Sequence, residues 1–236
     1  MSYSDAVKPR LFGHRGASGV LPENTIPAFE LALRGGATHL ETDVHMTRDG
    51  EVVVLHDPTV DRTTKGSGEV RAMTFAEAKA LGIPALREVL ERFPRVPLNI
   101  EVKQADPPML DAFFDVLDRF GARPDVLVAA EDDGIMKALR SRDAGVLTGF
   151  STSEVLRFVF EGSSPEYEPP GFALQIPETY EGMTIVTQDF VDRAHRLGVE
   201  VHVWVVNDVA QAKRLLGLSV DGIMSDVPGE LAGLFA

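Results

Sequence analysis

Short apolar runs alternate with longer amphipathic stretches from one end of this 236-residue chain to the other. Runs at residues 10–13, 39–44, 98–102, 126–129, 146–150, 172–176, 201–206 and 222–224 read as strands. Between them, residues 25–34, 85–92, 108–120, 134–140, 153–160, 188–197 and 209–216 have helical periodicity, and 229–234 adds a last helix. Strand then helix, repeated, implies parallel strands joined by crossover helices. A ninth apolar run at 52–55 follows the Asp49-Gly50 turn signal and reads as an extra strand. No G-x-G-x-x-G follows the first strand, which removes the main support for a doubly wound dinucleotide-binding sheet. The expected fold class is therefore α/β: a (β/α)8 TIM barrel forming a single domain over residues 1–236, with a short extra segment after the second strand.

Local signals set the expected helix ends. Asn24, Asp106 before Pro107-Pro108, and Asn207-Asp208 are candidate N-caps, and Gly35-Gly36, Gly121 and Gly198 sit where helices should stop. Residues 61–73 and 162–171 read as loops. A formal net charge of -13 opposes any broad contact with nucleic acid or anionic membrane, so phosphate recognition must be local. The chain has no cysteine, which excludes disulfides, thiolate metal sites and a thiol nucleophile. The N-terminal residues hold no apolar signal-like region, and no run is long enough to span a bilayer. The expectation is a cytoplasmic protein without stable membrane association or nucleic-acid partner. Oligomeric state is left open.

In a parallel barrel the C-terminal strand ends share one mouth. His14, Glu41, Asp43, His56, Glu101 and Lys103 all fall at or just past such ends. Glu41 and Asp43 are two residues apart on a strand and point the same way, as do Glu101 and Lys103. An inward carboxylate needs compensation, which a hard cation or a network of salt bridges supplies. Glu41, Asp43 and Glu101 form an all-oxygen set suited to Mg²⁺ or Ca²⁺. His14 lies between Gly13 and Arg15-Gly16, and His56 ends an apolar run beside Asp57, which can orient an imidazole. Two such histidines can divide acid and base roles. Arg15 and Lys103 are candidate phosphate contacts. Trp204, the only tryptophan, either lines the mouth or packs inside the barrel. His39, His195 and His202 read as structural, and His45 as at most an accessory to the site.

Taken together, His14-Arg15-Gly16-Ala17-Ser18-Gly19, Pro22-Glu23-Asn24-Thr25, Glu41-Thr42-Asp43-Val44-His45, Val53-Val54-Leu55-His56-Asp57, Arg62-Thr63-Thr64, Asn99-Ile100-Glu101-Val102-Lys103, Val203-Trp204-Val205-Val206-Asn207 and Ser225-Asp226 resemble the glycerophosphodiester phosphodiesterase family, in order and over nearly the whole chain. The resemblance implies a (β/α)8 barrel that uses a divalent cation to hydrolyse glycerophosphodiesters, small molecules, to glycerol 3-phosphate and an alcohol. It implies His14 and His56 as the catalytic pair, Glu41, Asp43 and Glu101 around the metal, and Arg15 and Lys103 on phosphate. The two steps can pass through a cyclic phosphate formed by the substrate's own hydroxyl. Two departures, Ala37-Thr38-His39-Leu40 and Ile83-Pro84-Ala85, lie outside the proposed catalytic set. The loop from Pro58 to about Leu81 is short, so a small cap and an open site are expected. The competing readings are a lysophospholipase D-like or phospholipase C-like phosphodiesterase, and a barrel that binds a phosphorylated ligand without catalysis.

Overall fold

The computed structural model describes residues 2–106, 108–142 and 145–235. Its strands are β1 (Arg10–His14), β2 (His39–Met46), β3 (Val52–Val54), β4 (Leu98–Val102), β5 (Val126–Ala129), β6 (Leu147–Thr148), β7 (Ala173–Pro177), β8 (Thr179–Tyr180), β9 (Met183–Thr184), β10 (Glu200–Trp204) and β11 (Gly222–Ser225). Its α-helices are α1 (Ile26–Arg34), α2 (Phe75–Ala80), α3 (Leu86–Arg92), α4 (Leu110–Phe120), α5 (Asp133–Arg140), α6 (Thr152–Glu161), α7 (Gln188–Arg196), α8 (Val209–Gly217) and α9 (Pro228–Leu231).

Eight strands run parallel in the order β6-β5-β4-β2-β1-β11-β10-β7. A parallel bridge from Gly149 to Ala173 joins β6 to β7, so the sheet closes on itself as the expected barrel. This seam is its thinnest join. A side chain on Gly171 would meet the Gly149 carbonyl oxygen at 2.5 Å, so glycine lets the two edges approach. β3 pairs antiparallel with the upper part of β2, with His45 opposite Val53, and is the extra strand read from the sequence.

Two apolar clusters fill the space between sheet and helices. One gathers Leu40, Ile100, Val128, Phe113 and Leu117 under α1, α3, α4 and α5, and the other gathers Leu174, Val201, Ile223, Phe190 and Leu215 under the second half. α4 shows why these helices form: Leu110, Phe113, Phe114 and Leu117 recur at helical spacing and are all buried. Each such side chain contributes about 1.5–3 kcal/mol. Gly121 ends α4 with φ 60, the left-handed stop the sequence predicts.

Several local expectations are corrected. Asn24 is not the N-cap of α1: its φ is 57, whereas Thr25 is extended and accepts from the Ala28 amide. The cap proposed at Asp106 does not form. α4 begins at Leu110 after Met109, without a side-chain cap, and Pro107 lies outside the described residues. Asp208 does cap α8, accepting from the Gln211 amide at 2.8 Å. α2 and the β8–β9 hairpin were not foreseen, because each is too short to show a period. α2 forms on a Thr74–Glu77 capping box and packs its Ala78 with Val53, Val60 and Ile83 beneath the loop after β3.

The bottom of the barrel is polar. Arg10 is fully buried and paired with Glu200, which also receives His202 at 3.0 Å and Lys8 at 2.6 Å. Tyr3 inserts from the N-terminal segment, edge-on to His39 and under the Arg10 guanidinium. His39 and His202 both flank Phe12, so the structural reading of these two histidines holds. His195 contacts Asp221 at 2.8 Å on the outside of α7.

Candidate active site

Register builds the mouth. β1 places His14 opposite Glu41 on β2, and β2 places Asp43 opposite Glu101 on β4. Side chains at such positions stand side by side on neighbouring strands. His14, Arg15, Glu41, Asp43, His56, Glu101, Lys103 and Trp204 all line one cavity of about 410 Å³ at the C-terminal ends of the strands. Trp204 is 36% exposed and belongs to the mouth, not to the barrel core.

The turn after β1 is tight because Arg15 (φ 55) and Gly16 (φ 84) are both left-handed. A Cβ on Gly16 would meet the backbone of Ala28 and Phe29 at 2.6–2.8 Å, so only glycine brings this loop onto α1. The turn aims the Arg15 amide at Glu41 Oε2, 3.0 Å away.

Each imidazole is held through Nδ1 by a carboxylate, at 2.7 Å in both cases: His14 by Asp226 and His56 by Asp57. The two carboxylates differ in their other partners. Among the described residues, the donors to Asp226 besides His14 are neutral, namely the Asn207 amide and the Ser18 hydroxyl, each at 2.7 Å. Asp57 is gripped by one edge of the Arg62 guanidinium, accepting from Nε at 2.6 Å and Nη2 at 3.0 Å, and Nη1 and Nη2 each make a 2.8 Å bond to Glu23. Glu23 in turn accepts from Arg15 at 3.1 Å. A continuous polar chain thus links His56 to Arg15.

Electrostatics follow from this wiring. Burial works against a charged His14, but the Asp226 hydrogen bond and the Glu41 charge outweigh it and raise the imidazole's affinity for a proton. Burial opposes the ionised Asp226, yet its bonds to His14, Asn207 and Ser18 hold it well below the usual carboxylate range. Arg62 does the same for Asp57, with His56 adding to it. Burial, reinforced by the Asp43 charge, pushes Glu41 up. Burial also raises Glu101, against the pull of Lys103.

Two of the three carboxylates, Asp43 and Glu101, are already partnered by cations. Lys103 Nζ lies 2.8 Å from Glu101 Oε1 and 3.5 Å from Asp43 Oδ1, and Arg15 Nε lies 3.4 Å from Asp43 Oδ2. As the side chains stand, no three His, Asp or Glu groups among the described residues form a ready metal cage. The donor chemistry still suits a hard cation: three carboxylates line the mouth, with no sulfur or paired imidazole among them.

Sequence reasoning missed Asn24 and gave no role to Asp226. Freed from capping, the Asn24 amide donates to Asp43 Oδ2 at 3.1 Å and its oxygen accepts from the Thr42 hydroxyl at 2.8 Å. Asp226 directly follows β11, and that strand-end position was the available signal. His45 lies under the site, with Nε2 3.1 Å from the His56 carbonyl oxygen.

A sequence profile of the glycerophosphoryl diester phosphodiesterase family matches residues 14–230. A glycerophosphodiester phosphodiesterase from Bacillus altitudinis is 30% identical, over 93% of this chain and 95% of its own. A lysophospholipase D from Homo sapiens is 25% identical, over 92% of this chain and 83% of its own. A phosphodiesterase from Oleispira antarctica, solved with the product sn-glycerol-3-phosphate, superposes with a TM-score of 0.81 at 22% identity over 97% of both chains. The chain belongs to the glycerophosphoryl diester phosphodiesterase family.

Proposed function

We propose that the protein hydrolyses glycerophosphodiesters to glycerol 3-phosphate and an alcohol, with His14 and His56 as the acid–base pair and a divalent cation, Mg²⁺ or Ca²⁺, held by Glu41, Asp43 and Glu101. The observation that carries this reading is the pair of imidazoles, each fixed through Nδ1 by its own aspartate at 2.7 Å, beside three inward carboxylates. Fixing Nδ1 leaves Nε2 as the nitrogen that exchanges protons. One imidazole takes a proton from the attacking hydroxyl and the other gives one to the departing alkoxide. Arg15 and Lys103 orient the phosphate and offset the charge that develops on its oxygens. When bound, the cation would supply Lewis acidity toward the phosphoryl group and favour ionisation of the attacking hydroxyl. Trp204 covers the carbon skeleton of the substrate at the mouth. The relatives' activity and the product seen in the Oleispira antarctica enzyme support the same chemistry.

The test is glycerol 3-phosphate release from glycerophosphocholine and glycerophosphoethanolamine. His14→Ala and His56→Ala are each expected to lose turnover while keeping the circular dichroism and melting transition of the parent, and chelation is expected to stop turnover reversibly. Activity near that of the parent in either variant overturns the assignment.

A further inference from the structure

The cavity has two unlike halves. Most of the charged residues come from the ends of β1, β2 and β4 and the segment after β3, with Glu131 following β5, whereas Phe150 just before α6, Val155, Leu156 and Val159 on α6, and Tyr180 and Ile185 around β8 and β9 supply apolar surface. α6 is unusual among the helices of this barrel. It carries Val155, Leu156, Phe158, Val159 and Phe160, yet of its ten residues only Phe158 is buried. Val155 and Val159 pack partly onto the core beside Phe158, but Leu156 and Phe160 are left exposed, which packing alone does not explain.

The unspent face continues outward. Phe160, one turn beyond Leu156, is 81% exposed, and Met183, the register partner of Tyr180, is 64% exposed. Apolar surface thus runs from the phosphate-handling centre to the edge of the mouth. A quaternary ammonium would engage the aromatic rings of Trp204 and Tyr180 but leave Leu156, Phe160 and Met183 without a role. The glycerol arm of the substrate does not fit here either. Its hydroxyls need polar partners, and one must reach the histidines.

We propose that the apolar half is a leaving-group subsite for an alcohol bearing a hydrocarbon chain. The chain lies along α6 between Leu156 and the β8–β9 hairpin, and its far end passes Phe160 and Met183. This rests on the phosphodiesterase reading above and adds the substrate class. The reaction stays a hydrolysis: the bond from phosphorus to the chain-bearing oxygen breaks, water supplies the new oxygen on phosphorus, and the alkoxide leaves with a proton.

The experiment uses sn-glycero-3-phospho diesters of ethanol, butanol and octanol below their micellar concentrations. kcat/KM is expected to rise with chain length, up to about four-fold per methylene. Leu156→Gln, at a half-exposed position, is expected to flatten that rise and leave the ethyl diester unchanged. A flat series in the parent overturns the proposal. So does a choline diester that outperforms octyl, or a gain seen only when the chain is placed on the glycerol arm. Quenching of the single tryptophan, Trp204, by the octyl diester in chelator reads binding without turnover. Tighter binding of octyl than of ethyl, lost in Leu156→Gln, supports the subsite even if no diester is cleaved, and equal binding overturns it. Absence of hydrolysis across the whole series instead counts against the phosphodiesterase reading.

Discussion

Asp43 and Glu101 stand opposite each other on neighbouring parallel strands, with the Lys103 ammonium 3.5 Å from one and 2.8 Å from the other. Two inward carboxylates in register repel, and in this arrangement one lysine holds them together. A divalent cation at the same place would stabilise the folded chain by mass action, about 2.7 kcal/mol at a concentration one hundred times Kd. Titration of Mg²⁺ or Ca²⁺ is therefore expected to raise the melting temperature. Glu101→Gln is expected to remove that rise and to cut kcat by 10²-fold or more. A metal-induced shift that survives in Glu101→Gln would place the cation elsewhere.

Asp226 and Asp57 serve histidines in the same way but with different neighbours, and this predicts unequal losses. Asp226→Asn keeps the shape of the side chain but removes the charge that orients His14, and kcat is expected to fall about 10²–10⁴-fold with little change in melting temperature. Arg62→Met leaves Asp57 able to hold His56, so its loss should be smaller, on the order of tenfold. Steady-state kinetics with one diester compares the two. An Arg62 variant more damaged than Asp226→Asn would contradict the reading that Arg62 acts at one remove, by holding Asp57 and Glu23.

Asn24 contributes a side chain and a backbone geometry, and two substitutions separate them. Asn24→Gly accepts the left-handed φ and loses only the amide contacts to Asp43 and Thr42. Asn24→Ala loses the same contacts and adds backbone strain, about 1–2 kcal/mol. Both variants are expected to weaken cation binding, measured by calorimetry, to the same extent. Only Asn24→Ala should show the additional loss of stability in urea. Equal stability of the two would remove the backbone argument.

The parts of this protein that could be read from sequence are those with a period or a position. Strands such as residues 98–102 and helices such as α4 carry enough apolar repeats to declare themselves, and their alternation fixes the barrel. Glu41 and Asp43 were visible because a strand's period of two puts them on one side, and Glu101 because it has the same relation to Lys103 at another strand end. Asp226 and Asn24 were not, since their partners His14 and Asp43 are 212 and 19 residues away and meet them only through closure of the barrel and a left-handed turn. The β8–β9 hairpin and α2 are two- and six-residue elements, below the length at which any repeat can be seen. α6 was legible as a helix, but the exposure of Leu156 and Phe160 on it is a tertiary fact.

The buried polar floor of the barrel sets the protein's response to acid. Burial, with the Arg10 charge adding to it, pushes His39 down to about 3, and burial likewise lowers His202. In the unfolded chain both protonate near 6.5, so between pH 6.5 and about 3 the unfolded state binds more protons than the folded one. The stability contributed by a neutral His39 is complete above pH 6.5 and is lost as pH falls through that window. Glu200 adds to the loss further down. Burial favours its protonated form, but His202, Lys8 and Arg10 outweigh this and hold it at about 2, so its contribution disappears between pH 4.5 and about 2. Urea midpoints are expected to decline steadily from pH 7 to pH 4 without a change in slope of the unfolding free energy with denaturant. In His39→Gln, which keeps a polar group beside Thr38 but cannot titrate, the decline between pH 6.5 and 5 should be clearly shallower. An unchanged profile in that variant would assign the acid sensitivity to other groups.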